Sequence, residues 1–209
     1  MIVFEFPNKT PSADILINLN AIVIKSDELF KYEDKAYFEE LCKKGCPNYE
    51  SKWSCPPCSP SASLFIPKYQ YSIVLLMWCD LEQFYYTKTE YMKIKASNSI
   101  LKSRMDSILD SLETTLEGMC ISNGSCRLCK PCNKKLQKPC KKPKQARYSM
   151  ESLGLNVENI SEDIFGHKLL WYKDKKAPNY SSVLSLFLTN EEVSNESLIN
   201  PITAYMESY

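Results

Sequence analysis

Hydrophobic and polar positions along this chain sort into a few strands, one long helix and two stretches with no periodicity. "MIVFEF" at the start predicts a short strand, and "AIVI", Ala21 to Ile24, a second. "YSIVLLMWC", Tyr71 to Cys79, is almost unbroken in its apolar character, as expected of a strand buried on both faces. From Thr87 to Met119, residues Leu101, Met105, Ile108, Leu112, Leu116 and Met119 recur at steps of three and four. That spacing draws one apolar stripe and predicts a long helix packed on a sheet. Shorter helices are expected at Asp34 to Lys44, at Ser61 to Lys68 behind a serine cap, and in "SMESLGL". Others are expected in "VENISEDIFG", stopped by Gly166, and from Asn195 to Tyr209. "HKLLWYK" and "SSVLSLFLT" predict a last pair of strands joined by "DKKAPNY". Proline and turn residues make loops of Cys42 to Pro60 and of the segment beginning at Gly124. The expected fold class is α+β: a small mixed or antiparallel sheet, a long packed helix and two cysteine-rich metal-binding loops. No repeat or linker divides the chain, so one domain over 1–209, with a core at about 21–189, is expected.

Composition narrows the chemistry. The chain has 209 residues, 44% hydrophobic and 11% aromatic, with a net charge of +1, so any electrostatic signal must be local. A chain of this length does not need disulfides to fold. The N-terminus lacks a basic leader and Glu5 breaks its apolar run, so no signal peptide is expected. No apolar window approaches the length of a membrane span. The expected location is the cytoplasm, where clustered cysteines signal metal or redox chemistry more often than structural disulfides. His167 is the single histidine, which removes multi-histidine metal sites and weakens a histidine general base. The five glycines form no phosphate-binding loop.

The ten cysteines carry the chemical content. Cys126, Cys129 and Cys132 stand at strict three-residue steps, Cys140 follows, and Pro143 comes three residues later. This is close to the bacterial ferredoxin run, with a longer last gap, and suits a 4Fe-4S cluster. A structural zinc more often takes two separated cysteine pairs. Nine basic residues lie between Cys126 and Arg147 with no acid among them. They would offset the negative charge of a thiolate-bound cluster, though most read equally well as a solvated face. The segment has no stacking aromatics from Gly124 to Arg147, so nucleic acid is not an expected partner. The first loop offers Cys42, Cys46, Cys55 and Cys58, suited to a second cluster or to zinc. Pro56 and Pro57 stiffen it, and Tyr49 and Trp53 are available to shield it or simply to pack. Cys79 reads as a core residue and Cys120 as a spare ligand candidate.

The motifs "CPNYESKWSCPP", "GSCRLCKPC", "PCKKP" and "ARYSMESLGLNV" resemble a prokaryotic family of predicted metal-binding proteins, from about Ala21 to Thr189. The resemblance implies that Cys42, Cys46, Cys55, Cys126, Cys129, Cys132 and Cys140 are family positions. It implies the same for Tyr49, Pro56, Pro57, Arg127, Pro143, Arg147, Ser149, Met150 and Glu151. Three positions depart from the pattern: Glu50 stands where the family tends to glycine, Tyr148 where it tends to proline, and Cys58 where it varies. The first site therefore resembles a three-cysteine site with Cys58 added.

The function expected from the sequence is an iron–sulfur protein with one or two 4Fe-4S clusters, engaged in electron transfer with a redox partner protein. An enzyme with an open iron position acting on a small-molecule substrate is the alternative, with Tyr49, Glu50, Arg147 and Glu151 as candidate acid, base or anchoring groups. Arg147 and Glu151, four apart, are expected to pair on a helix. A zinc-stabilised interaction module is the third reading.

Overall fold

A computed structural model describes residues 1–207. Its centre is a five-stranded sheet of β1 (Ile2–Lys9), β2 (Asp14–Lys25), β3 (Tyr71–Asp80), β4 (Gly118–Ile121) and β5 (Tyr180–Thr189). The order is β1-β2-β3-β5-β4, and every neighbouring pair is antiparallel. The chain is thus α+β, with the antiparallel form of the two sheets expected. β3 lies in the middle, and Ile73 to Met77 are fully buried, which explains its unbroken apolar run.

Both faces of the sheet are covered. On one, Ile17, Leu19, Ile73, Leu75, Met77 and Phe187 meet Leu101, Met105, Ile108 and Leu112. Those four come from α3 (Glu90–Thr115), so the stripe read from the sequence is the packed face. On the other face, Val74, Leu76, Leu186 and Leu188 meet Leu29, Ile66, Met150, Leu153, Leu155 and Ile160. Truncating one of these fully buried leucines or isoleucines to alanine costs about 2–5 kcal/mol.

The remaining helices are α1 (Lys35–Gly45), α2 (Ala62–Phe65), α4 (Val157–Phe165) and α5 (Ile199–Glu207). Asp34 caps α1 by accepting from the Tyr37 amide, and Gly166 ends α4 with a positive φ of 64°. Several boundaries differ from expectation. α3 stops at Thr115, and Met119 and Cys120 belong to β4, because the chain must turn back to pair with β5. "AIVI" is only the end of a twelve-residue strand, whose earlier polar positions pair with β1. "HKLLWYK" forms no strand; near it only Lys173 and Lys176 pair, as an isolated bridge. "SMESLGL" gives a single 3-10 turn, Glu151–Leu153. The expected last helix has Asn195 as its N-cap, opens as a 3-10 turn at Glu196–Leu198 and continues as α5, while Ser208 and Tyr209 lie outside the described residues.

Two pairings place the cysteine loops. Ser122 and Ser149 form a bridge, so residues 123–148 leave and return at one point beside β4. The chain then runs against the start of α1: Asp34 N donates to Gly154 O at 2.8 Å and Asn156 N to Tyr32 O at 2.9 Å. The exit of the second loop is thereby pinned to the helix that leads into the first.

Candidate metal centre

The first loop opens from α1, which carries Cys42 on its last turns, while Cys46 serves as its C-terminal cap. Cys42, Cys46 and Cys55 line a cleft of about 440 Å³. Lys102, Asn123, Arg127, Ser149, Glu151, Ser152 and Tyr49 line it with them. Burial pushes the Cys55 thiol up to about 11 and raises that of Cys42, to which Cys46 and Glu151 add. Neutral thiols in such a place must lose protons to act as metal ligands, so binding there releases protons.

Behind the trio sits Lys35, seven residues before Cys42 on α1. Its Nζ donates to Ser59 Oγ at 2.9 Å and to Ser152 O at 2.6 Å. Burial pulls its ammonium below the ordinary lysine value, while Glu39 and Cys42 act in the opposite direction. A half-buried cation on the helix of Cys42 thus interacts electrostatically with the Cys42 and Cys55 thiols.

The second loop brings Cys126, Cys129, Cys132 and Cys140 to the walls of one pocket. Among its other walls are Trp53, Ser54, Leu128 and Lys142. Trp53 comes from the first loop: its Nε1 donates to Lys138 O at 3.0 Å, and Lys134 Nζ lies 4.6 Å from its ring centroid. The pocket is narrow, about 20 Å³, roughly the space of one water. Among the described residues no three Cys, His, Asp or Glu side chains are drawn around one point as the ligands of a single ion are. The thiols line their pockets without closing on a centre.

The two loops meet. Lys52 Nζ donates to Ser125 Oγ at 2.7 Å and to Cys126 O at 2.8 Å, and Cys126 N donates to Ser54 Oγ at 3.3 Å. Ser54 lines the second-loop pocket and Cys55 the cleft, and Cys126 and its neighbours Ser125 and Arg127 divide in the same way.

The other sequence candidates fall as follows. Cys58 does not line the cleft; burial, with Cys140 and then Cys58 nearby, raises the Tyr148 phenol. Glu50 is exposed and holds a left-handed backbone, φ 55°. Cys79 is fully buried in β3, its thiol pushed up to about 12 by burial. Cys120 is buried in β4 and its thiol donates to Leu109 O at 3.3 Å. Arg147 pairs with Glu113 of α3 and not with Glu151, because no helix joins 147 to 151. Arg127 pairs with Asp106, also of α3, at 2.5 Å. Lys35, Lys102 and Asn123 escaped the sequence reading. Only Lys35 left a signal there, since a seven-residue step puts it on the helix face of Cys42.

Fold and site define an α+β protein with two adjoining cysteine-lined pockets at one edge of an antiparallel sheet. The chain belongs to the family described as "Predicted metal-binding protein (DUF2284)", whose model matches residues 25–188. The match contains all eight cysteines of the two loops. No curated protein and no solved structure matches the chain. No helix among the described residues is long and apolar enough to cross a membrane.

Proposed function

We propose that this chain is an iron–sulfur protein that performs redox chemistry, with two cluster sites side by side. The observation that carries this reading is that seven cysteines, from segments about 80 positions apart, line two adjoining pockets on loops hydrogen-bonded to each other. The donor set fits: thiols alone at the second loop, at a ferredoxin-like spacing, and three thiols in the cleft. Cys126, Cys129, Cys132 and Cys140 would hold a 4Fe-4S cluster there, and Cys42, Cys46 and Cys55 a second. Such clusters supply one-electron transfer and, where only three thiolates hold the cage, a Lewis-acidic iron.

The rest of the site belongs to the chain itself. Trp53 covers part of the second-loop pocket against water. The basic segment offsets negative charge, and Lys35 does the same behind the trio. Lys102 and Arg127 place positive charge in the cleft, and Tyr49 and Glu151 are groups able to hold or move a proton there. The position of Cys58 outside the cleft lining, and the cleft's size within the ordinary range of ligand pockets, favour a small substrate at the trio. A redox partner protein would then serve the second-loop site.

Protein purified under nitrogen is expected to be brown and to contain iron and acid-labile sulfide. Cys129→Ala and Cys46→Ala are each expected to remove part of the iron, and Cys58→Ala to leave it. Stoichiometric zinc without sulfide in that preparation overturns the reading. A structural zinc at the second loop is the second reading, favoured by the narrowness of its pocket.

A further inference from the structure

A second depression opens on the far side of Cys42 and Cys46. It holds about 590 Å³ and lies between α1, the start of α4 and the segment after it. Its walls carry three aromatic rings, Tyr37, Phe38 and Trp171. Tyr37 and Trp171 are 54% and 63% exposed, so both rings are open to solvent. The rings are held in place: Tyr37 and Phe38 meet edge to face at 5.2 Å, and Trp171 Nε1 donates to Glu158 Oε1 at 2.5 Å.

The charge around these rings has one sign. Glu151 and Glu158 line the groove, and no lysine or arginine among the described residues does. Glu158 is used by Trp171, but among the described residues the Glu151 carboxylate has neither a hydrogen-bond nor an ion-pair partner. The N-terminus of α4 also reaches the groove and by itself would favour an anion. Asn156 caps it by accepting from the Asn159 amide at 3.1 Å, and Glu158 occupies its first turn, so that end is already met.

We propose that this groove binds a small organic cation, an alkylated ammonium, with Tyr37, Phe38 and Trp171 against its apolar surface and Glu151 as its counter-ion. Aromatic faces attract such cations because the ring quadrupole is negative above the plane, and an alkylated ammonium loses little hydration on entering. Glu151, Cys42 and Cys46 line both this groove and the polar cleft. The ligand would therefore sit beside the cysteine trio. The inference rests on the groove's own walls and not on what the cysteines hold.

The test is calorimetric titration of the full chain, prepared under nitrogen, with choline, with its uncharged isostere 3,3-dimethylbutan-1-ol and with 3,3-dimethylbutanoate. Choline is expected to bind saturably and roughly tenfold or more tighter than the neutral isostere, with the carboxylate weakest. Trp171→Ala and Glu151→Gln are each expected to weaken choline by about tenfold, and Lys43→Met, on the exposed side of α1, to leave it unchanged. Absence of saturable choline binding overturns the proposal. Equal binding of the neutral isostere, or indifference to both groove variants, does the same. Metal and sulfide content measured on the same samples reports on the iron–sulfur reading separately.

Discussion

Lys52 Nζ donates to the carbonyl oxygen of Cys126 across 2.8 Å, joining two loops whose sequences lie 74 positions apart. The same ammonium also reaches Ser125 Oγ. Charged donors contribute more than neutral ones, and a half-exposed pair of such bonds is worth about 1–2 kcal/mol. Lys52→Met is expected to lower stability by that amount in urea unfolding. It is also expected to loosen the second loop, read as faster amide exchange over residues 123–148.

Gly154 has φ +90°, and a Cβ there would come within 2.6 Å of the Lys35 backbone. Neither backbone can give way, because the Asp34 amide is bonded to the Gly154 carbonyl. Gly154→Ala is expected to cost about 2–4 kcal/mol, the range of a strained backbone combined with a clash. The drop in melting temperature measures it, while Gly124→Ala, where a Cβ meets open space, serves as the control.

Glu50 holds φ at 55°, a left-handed conformation that glycine adopts without strain. A left-handed conformation costs a side-chain-bearing residue about 1–2 kcal/mol, and glycine returns part of that gain as chain entropy. Glu50→Gly is expected to raise stability by about 0.5–1 kcal/mol, and Glu50→Val to lower it. Thermal melts of the three proteins decide the order.

His167 packs between Trp78 and Tyr180, with Nε2 2.8 Å from Ser182 Oγ. Burial holds its pKa below the ordinary 6.5. As pH falls through about 6.5, the unfolded chain takes up a proton that the folded chain refuses. Stability is therefore lost on acidification from that point down to the folded pKa, and is fully present only above about pH 6.5. The expected measurement is a urea midpoint that falls below pH 6.5, with a shallower slope in His167→Gln.

Arg147 is paired with Glu113, both side chains mostly shielded from solvent. Glu113 also accepts from the Cys120 amide at 3.2 Å, tying the exit of the second loop to α3 and β4. A double-mutant cycle of Arg147→Met and Glu113→Gln is expected to give a coupling of about 1 kcal/mol, above the median of exposed pairs because of this shielding. A coupling near zero removes that anchor from the account.

Much of the framework was legible in the chain. The run from Tyr71 to Cys79 announced a central strand because a strand covered on both faces has no polar side to display. Leu101, Met105, Ile108 and Leu112 marked the helix face that packs, since their spacing follows the helical turn. The strand predicted at His167 to Lys173 failed because its alternation had no neighbouring strand to pair with. Met119 was drawn into the helix pattern because a partly buried apolar strand residue satisfies the same step of three.

By itself the sequence determined which cysteines share a loop and at what spacing. Cys126, Cys129 and Cys132 stand a few bonds apart, and spacing that short constrains geometry wherever the loop ends up. The tertiary structure alone decided what surrounds them. Trp53 crosses to the other loop's pocket, Lys35 and Lys102 arrive from two different helices, Arg147 turns to Glu113, and Cys58 is left outside the cleft. These relations depend on how segments tens of residues apart dock on the sheet. That docking is set by buried apolar surface, which carries no mark of the polar partners it will bring together.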